Sequence, residues 1–270
     1  MELYFLGTVA GTPSRERNVS SVALRLQEER GTFWLFDCGE GTQHQILKSP
    51  LKLGRLEFVF VTHLHGDHIY GLPGLLTSRS NQGAESPLTI YGPSGIRNFI
   101  ETSLSISGAH LDFDLHIEEI GPGVVFEDER FKVETDLLEH RIDSYGYRIT
   151  EKPKPGRLDS EKLNKMGIPP GPVYAELKAG RDVQLKSGEL LLSKDFVGAS
   201  VPGRIVAILG DTRICDSGKR LAHDADTLVH EATFSHQLSD LAFKYHHSTA
   251  RQAARLASDC RVGHLLLTHF

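Results

Sequence analysis

This chain lacks a long apolar run, a disulfide framework and any excess of positive charge. No stretch reaches the ~18–20 apolar residues that a membrane-spanning helix needs, so no membrane partner is expected. The amino terminus, Met1-Glu2-Leu3-Tyr4-Phe5-Leu6-Gly7, lacks the basic-then-apolar order of a secretory signal and reads as a first strand. The three cysteines, Cys38, Cys215 and Cys260, are scattered and form no CxxC pair, which favours a reducing cytoplasm. A formal net charge of −5 argues against nucleic-acid binding through overall charge. The 270 residues, 39% hydrophobic and 24% charged, are an ordinary globular balance with enough apolar material for a sizeable core.

Strand and helix signals alternate. Glu2 to Leu6, Val22 to Leu26, and Phe33 to Phe36 read as strands; Asp37-Cys38-Gly39-Glu40-Gly41 is turn chemistry, and Thr42 to Leu47 a short helix. Phe58 to Val61 is a buried strand, a helix begins near Gly71, Leu88 to Pro93 is a strand and turn, and Ile96 to Ile106 has helical spacing. Further strands are expected at Arg204 to Thr212, ending in Gly-Asp-Thr, at Thr227 to Thr233 and at His264 to Phe270, with a helix over Thr249 to Ala257. Many of these strands are short and apolar on both faces, a pattern that predicts stacked sheets covered by helices.

Residues 151–194 break the pattern. They are rich in proline and glycine and carry a net charge of +3, against −8 for the remainder. Such a segment reads as a basic arm inserted into an acidic domain spanning 1–270.

Chemistry concentrates in Thr62-His63-Leu64-His65-Gly66-Asp67-His68, where four metal-binding side chains fall within six residues after a buried strand. His63 and His65 can point one way while Asp67 and His68 turn toward a second position, as in half of a two-metal hydrolase site. Three more strand ends carry a candidate ligand: His140, Asp211 and His269. The local cluster cannot fill two coordination shells alone, so the missing ligands must come from such distant ends.

His63-Leu64-His65-Gly66-Asp67-His68, with His140, Asp211 and His269, resembles the metallo-β-lactamase fold: an α/β, αββα four-layer sandwich, here with an inserted flexible arm. Phe36-Asp37-Cys38-Gly39-Glu40-Gly41-Thr42-Gln43, Gly171-Pro172, His230-Glu231-Ala232-Thr233 and His247-Ser248-Thr249 resemble the ribonuclease Z family, nucleases that trim the 3′ ends of precursor tRNA. The resemblance implies two zinc ions per subunit, with manganese, iron or cobalt also possible. His63, His65, His140 and Asp211 would hold one ion, and Asp67, His68, Asp211 and His269 the other. It implies a shared hydroxide as nucleophile, Asp67 as ligand and proton acceptor, His247 as proton donor to the leaving ribose oxygen, and Glu231 holding the His247 tautomer. Asp37 would brace the metal loops. Arg15, Arg17 and Asn18 would bind substrate in a loop similar to the family's Pro-x-Lys-x-Arg-Asn near the substrate's 3′ end, where Arg15 and Arg17 would clamp phosphates. The arm, with Gly171 and Pro172, would grip the folded tRNA, and the family works as homodimers.

Two departures stand out. Val9 replaces a usual glycine, which predicts a shifted first loop because a β-branched residue resists positive φ. The last motif stops at Phe270, where the family normally continues with a Ser or Thr, an Arg and further helix. A small-molecule metallohydrolase (phosphodiesterase, lactonase or arylsulfatase) is the rival reading. An RNA-binding module with a structural zinc site is the third.

Overall fold

Alternation within the apolar strands builds two sheets and tells each residue which way to face. A computed structural model describes residues 1–270. The first sheet has the order β1 (Glu2–Gly7), β2 (Ser21–Leu26), β3 (Thr32–Phe36), β4 (Leu56–Phe60), β5 (Leu88–Gly92), β6 (Leu115–Glu119). Its first three strands are antiparallel neighbours, and β3 to β6 pair in parallel. Parallel neighbours need crossovers. These are supplied by helices α1 (Thr42–Leu47), α2 (Gly66–Ile69), α3 (Leu72–Asn81) and α4 (Ile96–Ser107). The expected turn at the histidine cluster thus ends in α2, a single helical turn.

Phe33, Leu35, Val59 and Ile90 pack with Ile46, Leu72, Leu76 and Ile100 of the helices. The intervening Trp34, Phe36, Phe58 and Phe60 face the other way. There Phe60 stacks on Phe36 with centroids 5.1 Å apart, and Tyr147 from the second sheet meets it at 5.3 Å. The Tyr147 hydroxyl, fully buried, donates to the Val61 carbonyl at 2.6 Å. An aromatic layer therefore joins the two sheets.

The second sheet begins with β7 (Gly123–Glu127), β8 (Phe131–Leu137) and β9 (Tyr145–Glu151). The chain then enters a second compact unit, formed by residues 127–132 and 150–204. Helices α5 (Ser160–Lys165) and α6 (Pro172–Lys178) and the hairpin β10 (Val183–Gln184) with β11 (Leu190–Leu191) lie there. Leu163, Ile168, Leu177, Leu191 and Phe196 give this unit its own apolar cluster. The proline-rich residues 151–194 fall within it.

The chain completes the second sheet with β12 (Ile205–Leu209), α7 (Asp216–Ala222), β13 (Thr227–Glu231), α8 (Ser239–Tyr245), α9 (Ala250–Asp259) and β14 (His264–Thr268). The strand order is β14-β13-β12-β9-β8-β7, with β12, β13 and β14 parallel. Leu209, Leu228, Leu221 and Leu256 bury α7 and α9 on its outer face. The result is helix, sheet, sheet, helix. Parallel strands end at one edge, and ligand-bearing turns follow β4 in the first sheet and β12 and β14 in the second. A Cβ on Gly210 would lie 2.6 Å from the Thr62 Cβ, so only glycine lets the two sheet edges close on each other beside the site.

Candidate metal centre

At this edge the structure gathers all seven ligand candidates. His63, His65, His140 and Asp211 form one group, and Asp67, His68 and His269 another, each with its ligating atoms within 4.8 Å of one another. Asp211 lies between them. Its Oδ2 is 3.6 Å from His63 Nε2, 3.6 Å from His68 Nε2 and 3.2 Å from His269 Nε2. Asp67 Oδ2 is 3.4 Å from His269 Nε2 and 3.7 Å from His68 Nε2.

The outward ring nitrogens are tied down. His68 Nδ1 meets Asp37 Oδ2 at 2.8 Å, His140 Nδ1 the His246 carbonyl at 2.9 Å, His63 Nδ1 the Thr62 hydroxyl at 2.9 Å, and His269 Nδ1 the Thr233 hydroxyl at 2.9 Å. The acceptors at His68 and His140 place the proton on Nδ1 and leave the inward nitrogen a lone pair. Those inward nitrogens have no protein donor to satisfy them. His63 Nε2 is buried without a hydrogen-bond partner. His68 Nε2 faces His269 Nε2 at 3.3 Å, and His140 Nε2 faces His65 Nδ1 at 3.3 Å. Buried acceptors converging on one another and on two carboxylates fit metal ions.

Electrostatics agree at three of the rings. Burial leads in pushing the His63, His65 and His140 imidazoles below their ordinary value, which favours the neutral, metal-binding form. Burial opposes ionisation of Asp211, yet the imidazoles of His269, His68 and His63 hold its carboxyl well below the usual range. Asp67 is likewise lowered against burial, by His269, His68 and the Gly11 N–H. At His68 burial is outweighed by Asp211 and Asp37, which favour positive charge at that ring.

The backbone is bent to fit. Asp37, His246 and His269 have φ of 58°, 58° and 57°, in the left-handed region that non-glycine residues rarely occupy. Asp37 also accepts from Thr62 N at 2.7 Å and Thr62 Oγ1 at 2.8 Å, bracing the loop after β4.

Beside the cluster, His247 Nδ1 meets Glu231 Oε1 at 2.8 Å. Glu231 is buried and also accepts from Thr212 N and Thr233 N at 3.1 Å, and from the Thr233 hydroxyl at 2.7 Å. Burial alone would lower the His247 value, but Glu231 and then Asp211 raise it above the ordinary one.

The loop of residues 8–18 reaches the same place. Gly11 N–H donates to Asp67 Oδ2 at 2.7 Å. Asn18 Nδ2 donates to the Glu40 carbonyl, and Arg15 and Arg17 are exposed. Val9 does not take positive φ. Val9 pairs with Val19, and positive φ falls at Gly11 instead. Gly171 and Pro172 open α6 in the second unit. Sequence reasoning missed Thr62, Thr233, the His246 carbonyl and the Gly11 N–H. Only the two threonines carry a sequence signal, since each adjoins a motif already singled out.

A family model described as anti-Pycsar protein Apyc1 matches residues 1–139, and the chain belongs to that family over this half, which holds the first sheet and the His63–His68 motif. Over its whole length the chain is similar to ribonuclease Z of Bacillus licheniformis, 55% identical over 269 residues, covering 100% of this chain and 88% of that protein. Human tRNase Z, short form, superposes with a TM-score of 0.77 at 36% identity, covering 100% of this chain and 92% of that one. The metallo-β-lactamase fold protein YhfI of Bacillus subtilis shares the fold, with a TM-score of 0.66 at 18% identity, covering 99% of this chain and 84% of that one. Full-length identity of this order, on this fold and around this cluster of side chains, means that the chain belongs to the ribonuclease Z family.

Proposed function

We propose that this chain is a metal-dependent endoribonuclease that cuts precursor tRNA after the discriminator base, releasing the 3′ trailer and leaving a 3′ hydroxyl on the tRNA. One observation carries the chemistry: seven ligand side chains gather at one place, with four outward ring nitrogens anchored and the buried His63 Nε2 left without a partner. The full-length likeness to proteins named ribonuclease Z and tRNase Z supports the substrate.

His63, His65, His140 and Asp211 would hold one ion and Asp67, His68, Asp211 and His269 a second. The imidazole-rich set suits zinc, with manganese, iron or cobalt as alternatives. Such ions lower the pKa of water and neutralise charge gathering on the phosphate. The chain's own groups do the rest. Asp67, fixed by the Gly11 N–H, takes the proton of the attacking water. Glu231 holds His247 through Nδ1, and the protonated ring passes its Nε2 proton to the departing ribose 3′ oxygen. Arg15 and Arg17, exposed on the loop whose Gly11 touches Asp67, pair with phosphate oxygens. Asn18 shapes that loop. The second unit, with Gly171 and Pro172 at the start of α6, grips the folded tRNA through backbone and shape contacts. The likeness to ribonuclease Z supports a homodimer working in the cytoplasm. No helix is long and apolar enough to cross a membrane.

Incubating the metal-loaded protein with a precursor tRNA and mapping the product ends tests this. A tRNA ending in a 3′ hydroxyl at the discriminator and a trailer bearing a 5′ phosphate are expected. An intact precursor, or cuts scattered along the chain, would overturn it.

A further inference from the structure

A row of flat groups leads outward from the site, and its members beyond His247 have no role in the chemistry above. The His269 and His247 rings lie nearly parallel, 19° apart with centroids at 5.6 Å. Phe234 follows His247 at 6.0 Å, and Tyr245 follows Phe234 at 6.3 Å with the planes only 9° apart. The Arg141 guanidinium then sits 4.6 Å over the Tyr245 ring, and Lys244 Nζ is 5.8 Å from it.

Local structure fixes this row. Helix α8 ends at Tyr245, and the left-handed turn at His246 sends the chain back so that Tyr245 and His247 flank it. The His246 carbonyl is locked to His140, and Arg141 is the next residue after that histidine. Phe234 follows Thr233, whose hydroxyl bonds both Glu231 and His269. Every member is thus within one or two residues of a group that sets the metal centre. Yet Tyr245 and Arg141 are exposed. Tyr245 keeps 37% of its surface exposed beside two cations, in a place rigidly referenced to the active site.

We propose that Tyr245, backed by Phe234, is the seat for the base of the last nucleotide retained in the tRNA. The inference rests on the endonuclease reading above. That nucleotide carries the 3′ oxygen to which His247 gives its proton, so its base lies on the His247 side of the cut, where Phe234 and Tyr245 stand. The base stacks on the Tyr245 face that Arg141 now covers. An exposed cation–aromatic contact is weaker than base–aromatic stacking, so the guanidinium yields the face and pairs with a phosphate. Stacking needs only a π-face, so the seat accepts any of the four bases. The residue's role is positioning: it fixes the nucleotide so that the scissile bond falls between the metal pocket and His247.

The test is a cycle of two changes. One is Tyr245→Leu, which keeps bulk and removes the ring. The other is a precursor tRNA with an abasic site at the last retained nucleotide. With intact precursor, Tyr245→Leu should lower kcat/KM about five- to a hundredfold, the range set by loss of one stacked base. The abasic precursor should cost the wild type a similar factor. Combining both changes should cost little more than either alone. Tyr245→Phe and Tyr245→Trp should restore cleavage of the intact precursor to within about twofold, which separates a lost stack from a misfolded α8. Equal losses on intact and abasic precursors, no loss on either, or failure of the aromatic replacements to rescue would overturn the proposal. Wild type that does not cut precursor tRNA at all would instead overturn the endonuclease reading beneath it.

Discussion

The carboxylate of Asp37 and the Nδ1 of His68 stand 2.8 Å apart although 31 positions separate them in the chain. The same carboxylate accepts the Thr62 N–H and hydroxyl, so one buried side chain holds both the ring and the loop leading into it. Replacing Asp37 by Asn keeps the volume and tolerates the φ of 58°. It removes the charge that orients His68. Metal affinity should fall by roughly 10–100-fold, measured by competition with a chelating dye, and the metal-free protein should lose about 1–3 kcal/mol of stability because an amide NH2 now faces buried donors. Unchanged affinity would show that His68 needs no such partner.

Asp67 accepts the Gly11 N–H and faces His68 and His269. Asp67→Ala should reduce cleavage of precursor tRNA by at least about 10²-fold, the usual weight of a positioned proton acceptor, and should spare most tRNA binding. Gel-shift and single-turnover assays on a variant with verified metal content decide the matter. Wild-type-like turnover would remove Asp67 from the mechanism.

His247 must be protonated to act as an acid. Burial works against that proton, but Glu231 and then Asp211 raise its pKa above the ordinary imidazole value. The active, protonated form is therefore present at low pH and lost as pH rises through the raised value. In Glu231→Gln the raising contact is weakened, so the high-pH fall of kcat should begin at lower pH, with kcat down by up to about 10²-fold. A pH–rate profile of single-turnover cleavage reads this directly. A profile whose high-pH limb stays in place would disconnect His247 from the rate.

The second unit has its own apolar cluster and a surplus of basic residues in 151–194. Deleting residues 155–190 should lower kcat/KM for precursor tRNA by more than about tenfold and flatten its salt dependence. Hydrolysis of bis(p-nitrophenyl) phosphate should suffer far less. Equal losses on the two substrates would favour a hydrolase of small molecules.

Much of the site is legible in the sequence because metal ligands are rare residue types placed at strand ends. His63 to His68 marks itself by density, and His140, Asp211 and His269 by following apolar runs. The parallel strands β12, β13 and β14 then explain why distant ends meet. The anchors of the rings were less visible. A backbone carbonyl such as that of His246, or an N–H such as that of Gly11, leaves no trace in residue type. The strands β6 and β8 are also quiet. Leu115-His116-Ile117-Glu118 and Lys132-Val133-Glu134-Thr135-Asp136 carry charges on one face, so no apolar run announces them. In the first loop the left-handed residue is Gly11, two positions beyond Val9.

The turn at His246 does two things at once. Its carbonyl steers His140, and the very next residue is the proton carrier His247. What position 246 must supply is a bend, and its own ring is spare. Asparagine, at ease in that bend, should be silent there, whereas valine would swing a metal ligand and an acid out of line together. The metal ligand His140 and the proton carrier His247 are in this sense a single mechanical part, and damage to one will be hard to repair by compensating in the other.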